Sequence, residues 1–276
     1  MAYKTILVHL DNGKRCPGRL ELAIRLAKRF DAHLAGLHAL TAVRLPGYAA
    51  VEAGPWLAEE QRRRAVEYAA EAEKAFRQAV DRGGVPGAEW RSSFDDALEA
   101  VTLHARYADL VLIGQPEREG GSGVEPGFAH RLVLAAGRPV LVMPYAGQFE
   151  TMGKRVLLAW NASREATRAT TDALPFLKTA EKVTVSPVKP DRAAHGEAPG
   201  ADIGLYLARH GVRVEVAAIE GTELDAGNAL LSRAADLSID LIVMGAYGHS
   251  RVSELVLGGV TRTMLESMTA PVLMSH

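Results

Sequence analysis

Cysteine is almost absent from this 276-residue sequence. Cys16 stands alone, which excludes an internal disulfide and any metal site built on several cysteines. A reducing cytoplasm is the compartment such usage fits. No uninterrupted apolar run approaches the roughly 20 residues of a membrane span. The opening MAYKTILVHLD lacks the basic start, long apolar stretch and cleavage site of a signal peptide, and reads as a first strand. Charge of one sign is missing too: 32 Lys and Arg face 33 Asp and Glu. A net charge of -1 gives no reason to expect nucleic acid or an anionic membrane as partner. Several motifs are absent, namely Gly-x-x-x-x-Gly-Lys-Ser/Thr, Gly-x-Gly-x-x-Gly after the first strand, and the Gly-x-Ser-x-Gly elbow. No two of His9, His33, His38 and His104 have the i, i+4 spacing of a helical metal site, and no acid–base pair can be named from spacing. An efficient catalyst is therefore not expected.

What is present is a regular alternation of apolar runs and amphipathic segments. Lys4 to Leu10 is short, β-branched and nearly all apolar, as suits a parallel strand covered on both faces. Asp11-Asn12-Gly13 ends it as a turn. Leu20, Ala23, Ala27 and Phe30 make one helix face. His33 to Leu40 is the second strand, and residues 41 to 55, with Pro46, Gly47, Gly54 and Pro55, read as a loop. Glu59 to Arg82 is the clearest helix, with Ala65, Ala69, Ala72, Phe76 and Ala79 on one stripe. Arg62, Arg63 and Arg64 belong to its solvated side. Glu89 to Phe94, Leu110 to Ile113 and Pro139 to Met143 are further strands, with helices at Asp96 to Arg106 and Phe128 to Ala136.

That order, β-α-β-α-β-α-β-α-β, predicts a parallel α/β sheet. It then begins again. Lys154 to Trp160 resembles Lys4 to Leu10, with Asn161 where Asp11 stood. Ala108 to Gly114 matches Ile239 to Gly245, and Arg138 to Val142 matches Ala270 to Met274. The spacing between copies falls from 150 residues (Lys4 to Lys154) to 131 (Ala108 to Ile239) and 132 (Arg138 to Ala270). The chain is thus an internal duplication whose second copy is shortened, mainly around residues 41 to 85. Two units are expected, 1–146 and 154–276, each an αβα sandwich on a five-stranded parallel sheet of order 3-2-1-4-5.

In such a sheet ligands sit beyond the carboxyl ends of the strands, at the switch between the first and fourth. In the second copy these strands end at Asn161 and Gly245. A glycine-punctuated loop follows, with Gly248, Gly258 and Gly259, and then a segment of helical spacing. Glycines let backbone N–H groups approach an anion, and a helix start adds free N–H groups and the positive end of its dipole.

The pattern Gly245-Ala-Tyr-Gly248, nine residues, Gly258-Gly259-Val260-Thr261 resembles the nucleotide loop of the universal stress protein family. Both copies have that family's strand and helix order, so the whole chain resembles a tandem universal stress protein. The resemblance implies a stress-response protein that binds ATP, with Mg as a companion ion, and at most slow ATP hydrolysis. It implies that Gly248, His249, Gly258, Gly259, Val260 and Thr261 surround the phosphates and that Gly245 closes the end of the fourth strand. Asn161 would lie near the nucleoside, with Pro187 and Val188 at the adenine edge. It also implies that the fifth strands of the two copies pair, making an intramolecular pseudo-dimer. A protein partner is expected but unnamed, and association of two whole chains is left open.

Three residues depart from the family pattern. Gly259 stands where the family has Ser or Thr, Asn161 where it has Asp, and Pro187 has no N–H to give a base. Each lost contact is worth about 0.5–1.5 kcal/mol. In the first copy Glu117 replaces the second glycine, and Glu117, Glu119 and Glu125 would repel phosphates. One nucleotide site, in the second copy, is expected. The alternative is a scaffold or small-ligand sensor of the same fold that binds no nucleotide. The Ser-Gly-Gly-type loop of the related-fold ATP pyrophosphatases is absent after both first strands, which disfavours that enzyme class.

Overall fold

Runs that are apolar at every position cannot face water on either side, and they become the inner strands of one sheet. The computed structural model describes residues 2–39, 47–115, 124–125, 127–188, 198–217, 226–247 and 259–276, without the side chains of 47–55, 57, 58 and 61. In the first half β1 (Thr5–His9), β2 (His33–Ala39), β3 (Glu89–Ser93), β4 (Leu110–Gly114) and β5 (Val140–Met143) lie in the order 3-2-1-4-5. The second half repeats it with β6 (Arg155–Trp160), β7 (Lys182–Pro187), β8 (Val214–Val216), β9 (Leu241–Gly245) and β10 (Val272–Ser275). Within each half every pairing is parallel.

Between halves β5 and β10 pair antiparallel, Val142 with Val272, Leu141 with Leu273 and Val140 with Met274. The result is a single sheet of 10 strands. Helices cover both faces. On one lie α1 (Cys16–Phe30), α2 (Gly47–Gly83), α5 (Arg164–Asp172), α6 (Leu174–Leu177) and α7 (Ala201–Arg209). On the other lie α3 (Ala97–Ala105), α4 (Phe128–Ala135), α8 (Ala226–Asp236) and α9 (Gly259–Ser267). Successive strand residues alternate between the two cores: Ile6 and Val8 enter the first, Leu7 the second. Each core runs across both halves.

The expected loop at 41 to 55 is corrected in part. Residues 41 to 46 lie outside the described residues, but the helix already begins at Gly47, not Glu59. Pro55 costs it one i−4 hydrogen bond. Ala49, Ala50 and Ala53, strong helix formers, support the extra turns. The predicted stripe holds: Phe76 and Val80 are buried, with Ala65, Ala69, Ala72 and Ala79 half-buried beside them. Arg63 lies on the solvent side, bonded to Glu60 and Glu67. The shortening of the second copy also has a location. Where α2 has 37 residues, its counterpart α7 has 9.

Aromatic rings tie the halves together beneath the sheet. Phe176 of α6 stands 5.1 Å from Phe30 and 5.5 Å from Tyr3, centroid to centroid. The Tyr3 hydroxyl donates to the Asp172 carbonyl at 2.7 Å. Arg29 spans the same seam, donating to the Met152 carbonyl at 2.5 Å and the Thr179 hydroxyl at 2.6 Å. Replacing Phe176 with alanine is expected to cost about 3–5 kcal/mol of unfolding free energy. Denaturant titration checks this, and a loss under about 1 kcal/mol would show that the halves do not share this core.

Candidate functional site

At the carboxyl end of the second half's sheet, register decides what meets what. Trp160 pairs with Pro187 on one side, and Ala159 pairs with Met244 on the other. The next residues along, Asn161, Val188 and Ala246, therefore lie in one row across three neighbouring strand ends. Asn161 Oδ1 accepts from the Ser163 amide at 3.2 Å, fixing the turn. Ser163 caps α5 by accepting from the Ala166 amide at 3.1 Å. Between them Ala162 is left-handed, at φ 57°.

The other expected site residues divide clearly. Pro187 is buried at the end of β7, and the Val188 amide is already committed to the Trp160 carbonyl at 2.7 Å. Neither residue has an amide N–H to give a base. Gly259 opens α9 and is exposed, with no atom of the described residues within 4 Å of where a Cβ would be. Val260 is half-buried against the second core. Thr261 points inward: only 4% exposed, its hydroxyl accepts from the Tyr247 amide at 3.4 Å. Gly248, His249 and Gly258 lie outside the described residues.

Gly245 has a steric reason of its own. A Cβ there would stand 2.6 Å from the Glu165 carbonyl carbon and 2.9 Å from Ala166 Cα, and would also collide with the Ala166 amide nitrogen. The first turn of α5 thus presses its backbone against the end of β9, and only glycine fits.

The equivalent place in the first half is occupied by the protein itself. Arg19, from α1, reaches between the ends of β1 and β4, and its Nη2 stands 2.8 Å from Asp11 Oδ1, the two side chains 3% and 8% exposed. Its Nε donates to the His9 carbonyl at 2.8 Å. Gly114 leaves the room, since a Cβ there would collide with the guanidinium. The cavity that remains, beside Gly13, Arg15 and Gln115, is about 10 Å³, the size of one water. Burial alone would raise the Asp11 carboxyl; the Arg19 charge and the hydrogen bonds from Arg19 and the Gly13 amide together outweigh burial and hold it below the ordinary carboxylate value. Burial pushes neighbouring His9 down to about 4, so it is neutral at pH 7. Of the acidic residues expected to repel phosphates, Glu125 pairs with Arg131 at 2.7 Å; Glu117 and Glu119 lie outside the described residues.

Arg19 is not among the candidates that spacing and motif single out. The sequence does carry a signal for it: it lies four residues before Ala23, on the apolar face of α1, and eight after Asp11. A charge on such a stripe must be paired if the stripe is buried. The residue 150 positions on is Ala169, which is fully buried, so α5 has no cation at the position that Arg19 holds on α1.

A family model for the universal stress proteins matches residues 2–144 and matches again at 152–276. The chain belongs to the universal stress protein family. A universal stress protein of Synechocystis sp., Slr1230, is 32% identical over 151 residues, which is 52% of this chain and 48% of that protein. The chain thus spans about half the length of this curated relative. Among solved structures, a universal stress protein from Archaeoglobus fulgidus superposes with a TM-score of 0.73 at 15% identity, covering 98% of this chain and 97% of that one. A putative universal stress protein from Pseudomonas aeruginosa gives 0.60 at 16% identity, with 99% and 93% covered. At these identities the likeness is one of fold. As a tandem universal stress protein, the chain has two switch points that differ in content: a buried ion pair in one, an uncharged strand-end row in the other.

The Gly245 contact gives a test that needs no ligand. Gly245→Ala is expected to destabilise the fold by about 1–3 kcal/mol through overpacking. Urea unfolding of the ligand-free protein measures it, and an unchanged midpoint would mean that α5 does not crowd β9.

Proposed function

We propose that this universal stress protein binds one ATP, at the switch point of its second half, and acts in stress response through a nucleotide-linked change in conformation or partner. The observation that carries the reading is the asymmetry of the two switch points. A guanidinium fills the first, whereas the second has the neutral Asn161 at the strand end and the amino end of α9 at Gly259. Glycine spacing through Gly248 and Gly258 supports a phosphate loop between them. The chain divides in this reading at 1–146 and 154–276, with the intact loop in the second unit and a degenerate one in the first. Asn161 offers no carboxylate, so Mg would arrive on the phosphates and keep much of its water. The first turn of α9 would supply amide donors and its dipole to phosphate oxygens, and Asn161 a neutral hydrogen-bonding group to a sugar. No residue is assigned a catalytic role. ATP can shift a partner equilibrium only by its preference for one state over the other.

A second reading keeps the fold and drops the nucleotide, leaving a scaffold or a sensor of another small ligand. Commitment of the Val188 amide to Trp160, together with Pro187, favours it, because the adenine edge then lacks a backbone donor. The proposed setting is the cytoplasm; among the described residues no helix is long and apolar enough to cross a membrane.

Acid extraction of the purified protein and its melting temperature with and without ATP separate the readings. ATP is expected to raise the melting temperature, and Gly248→Val to abolish the rise. Gly259→Ser restores a hydroxyl at a position that no described residue crowds, so it is expected to tighten ATP binding about twofold to tenfold by calorimetry. A protein that yields no nucleotide and gains no thermal stability with saturating ATP leaves the scaffold reading standing.

A further inference from the structure

Tyr247 is the last described residue before the glycine loop, and it is held from several sides. Its backbone is left-handed, at φ 61°, a conformation a bulky residue keeps only where its surroundings hold it. Its amide donates to Thr261 in the first turn of α9, at 3.4 Å, so the two flanks of the loop are tied together. Its ring meets the His276 ring edge-on, 6.4 Å between centroids, and His276 Nδ1 bonds to the Ala246 carbonyl at 3.0 Å. Its hydroxyl leaves the second half altogether and meets Nδ1 of His130, on α4 of the first half, at 2.5 Å. The α4 helix packs on β10 and α9, so His130 stands on an element that touches the loop's own half.

We propose that His130, from the half whose own switch point is plugged, is a positioning residue for Tyr247 and the first turn of α9, the two flanks of the glycine loop of the other half, acting through the Tyr247 hydroxyl. The ligand of that loop is taken from the nucleotide reading above, on which this part of the proposal rests. Burial holds His130 below its ordinary value, so it is neutral and Nδ1 can accept from the hydroxyl. Burial pushes the Tyr247 hydroxyl up to about 12, so it keeps the proton it donates. Half-buried and hydrogen-bonded across the seam, Tyr247 is not free to stack on a base; its part is to set where the loop begins.

The test uses the full chain and two readouts. Hydrogen exchange of the peptide spanning Gly245 to Gly259 is followed without ligand, and ATP affinity is measured by calorimetry. His130→Leu and Tyr247→Phe are each expected to speed exchange in that peptide while distant strands keep their protection. Combined, they are expected to do no more than either alone. Both are expected to weaken ATP binding about threefold to tenfold. His130→Asn, which offers Oδ1 near the place of Nδ1, is expected to restore both readouts. Loop exchange unchanged in His130→Leu overturns the proposal, and so does a rise spread evenly over the chain, which marks a merely structural role. If the unmutated protein takes up no ATP, the nucleotide reading falls, and loop exchange alone decides whether His130 positions the loop.

Discussion

The antiparallel ladder of β5 on β10 turns two open sheets into one. Alone, each half would end on a fully buried, apolar strand, Val140–Met143 or Val272–Ser275, with its backbone groups unpaired on one side. Such an edge invites association. Pairing the two edges satisfies both and leaves only β3 and β8 at the rims. Those rims are guarded differently. β3 carries Glu89 and Arg91, bonded to each other at 2.7 Å, and β8 is three residues long with Glu215 held by Lys182 at 2.8 Å. Charge and brevity are the usual protections of an exposed edge. The two buried cores, running unbroken from half to half, follow from the seam, as do the Phe176 cluster and the contact of His130 with Tyr247.

The duplication supplies the same strand ends twice, and small differences in side chains then give them opposite characters. In the first half a buried arginine is matched to a buried aspartate. Neither partner could be removed cheaply, because the survivor would be an uncompensated charge in a poorly solvated place. In the second half Asn161 and Ala169 occupy the corresponding positions, so this pair is absent, and the buried carboxylate nearby, Glu165 of α5, is matched by its neighbour Arg164. The space gained is partly used by the backbone of α5, which crowds Gly245. One glycine can therefore look like a ligand-binding residue in sequence while its closest constraint is a neighbouring helix turn.

Most of the architecture was legible in the sequence because it rests on local and periodic signals. The strands Leu110–Gly114 and Leu241–Gly245 are apolar throughout, and the α2 stripe has helical spacing. Repetition of Lys4–Leu10 at Lys154–Trp160 exposed the duplication, and the family model matches both copies. Where α2 begins was not legible, since Gly54 and Pro55 signal a break that the surrounding alanines override. The site was only partly legible. Spacing identified the glycines and Asn161 as candidates. Which amides and hydroxyls are already engaged depends on register and tertiary contact, as at Val188 with Trp160 and Thr261 with Tyr247. Arg19 in its crevice and His130 on Tyr247 are contacts across 8 and 117 positions, and no periodicity encodes them.

A tandem chain differs from a dimer of identical subunits in one physical respect. In a symmetric dimer every contact across the seam occurs twice, and each subunit both gives and receives it. Here His130 meets Tyr247, whereas the residues corresponding to Tyr247 in the first half lie in the divergent stretch that begins at Gln115. Gln115 itself turns back across the seam, donating to the Leu265 carbonyl at 2.9 Å and accepting from the Tyr145 amide at 3.0 Å. The first half's strand end is thus engaged in holding α9, whose amino end lies beside the glycine loop. Arg168 of α5 closes the same region from the other side, bonding the His276 carbonyl at 2.9 Å and the Gly137 carbonyl at 2.5 Å. The contacts around the loop's two flanks are therefore drawn from both halves. A ligand that prefers one arrangement of Tyr247 or α9 would be coupled to the first half through these bonds, by no more than its difference in affinity for the two arrangements.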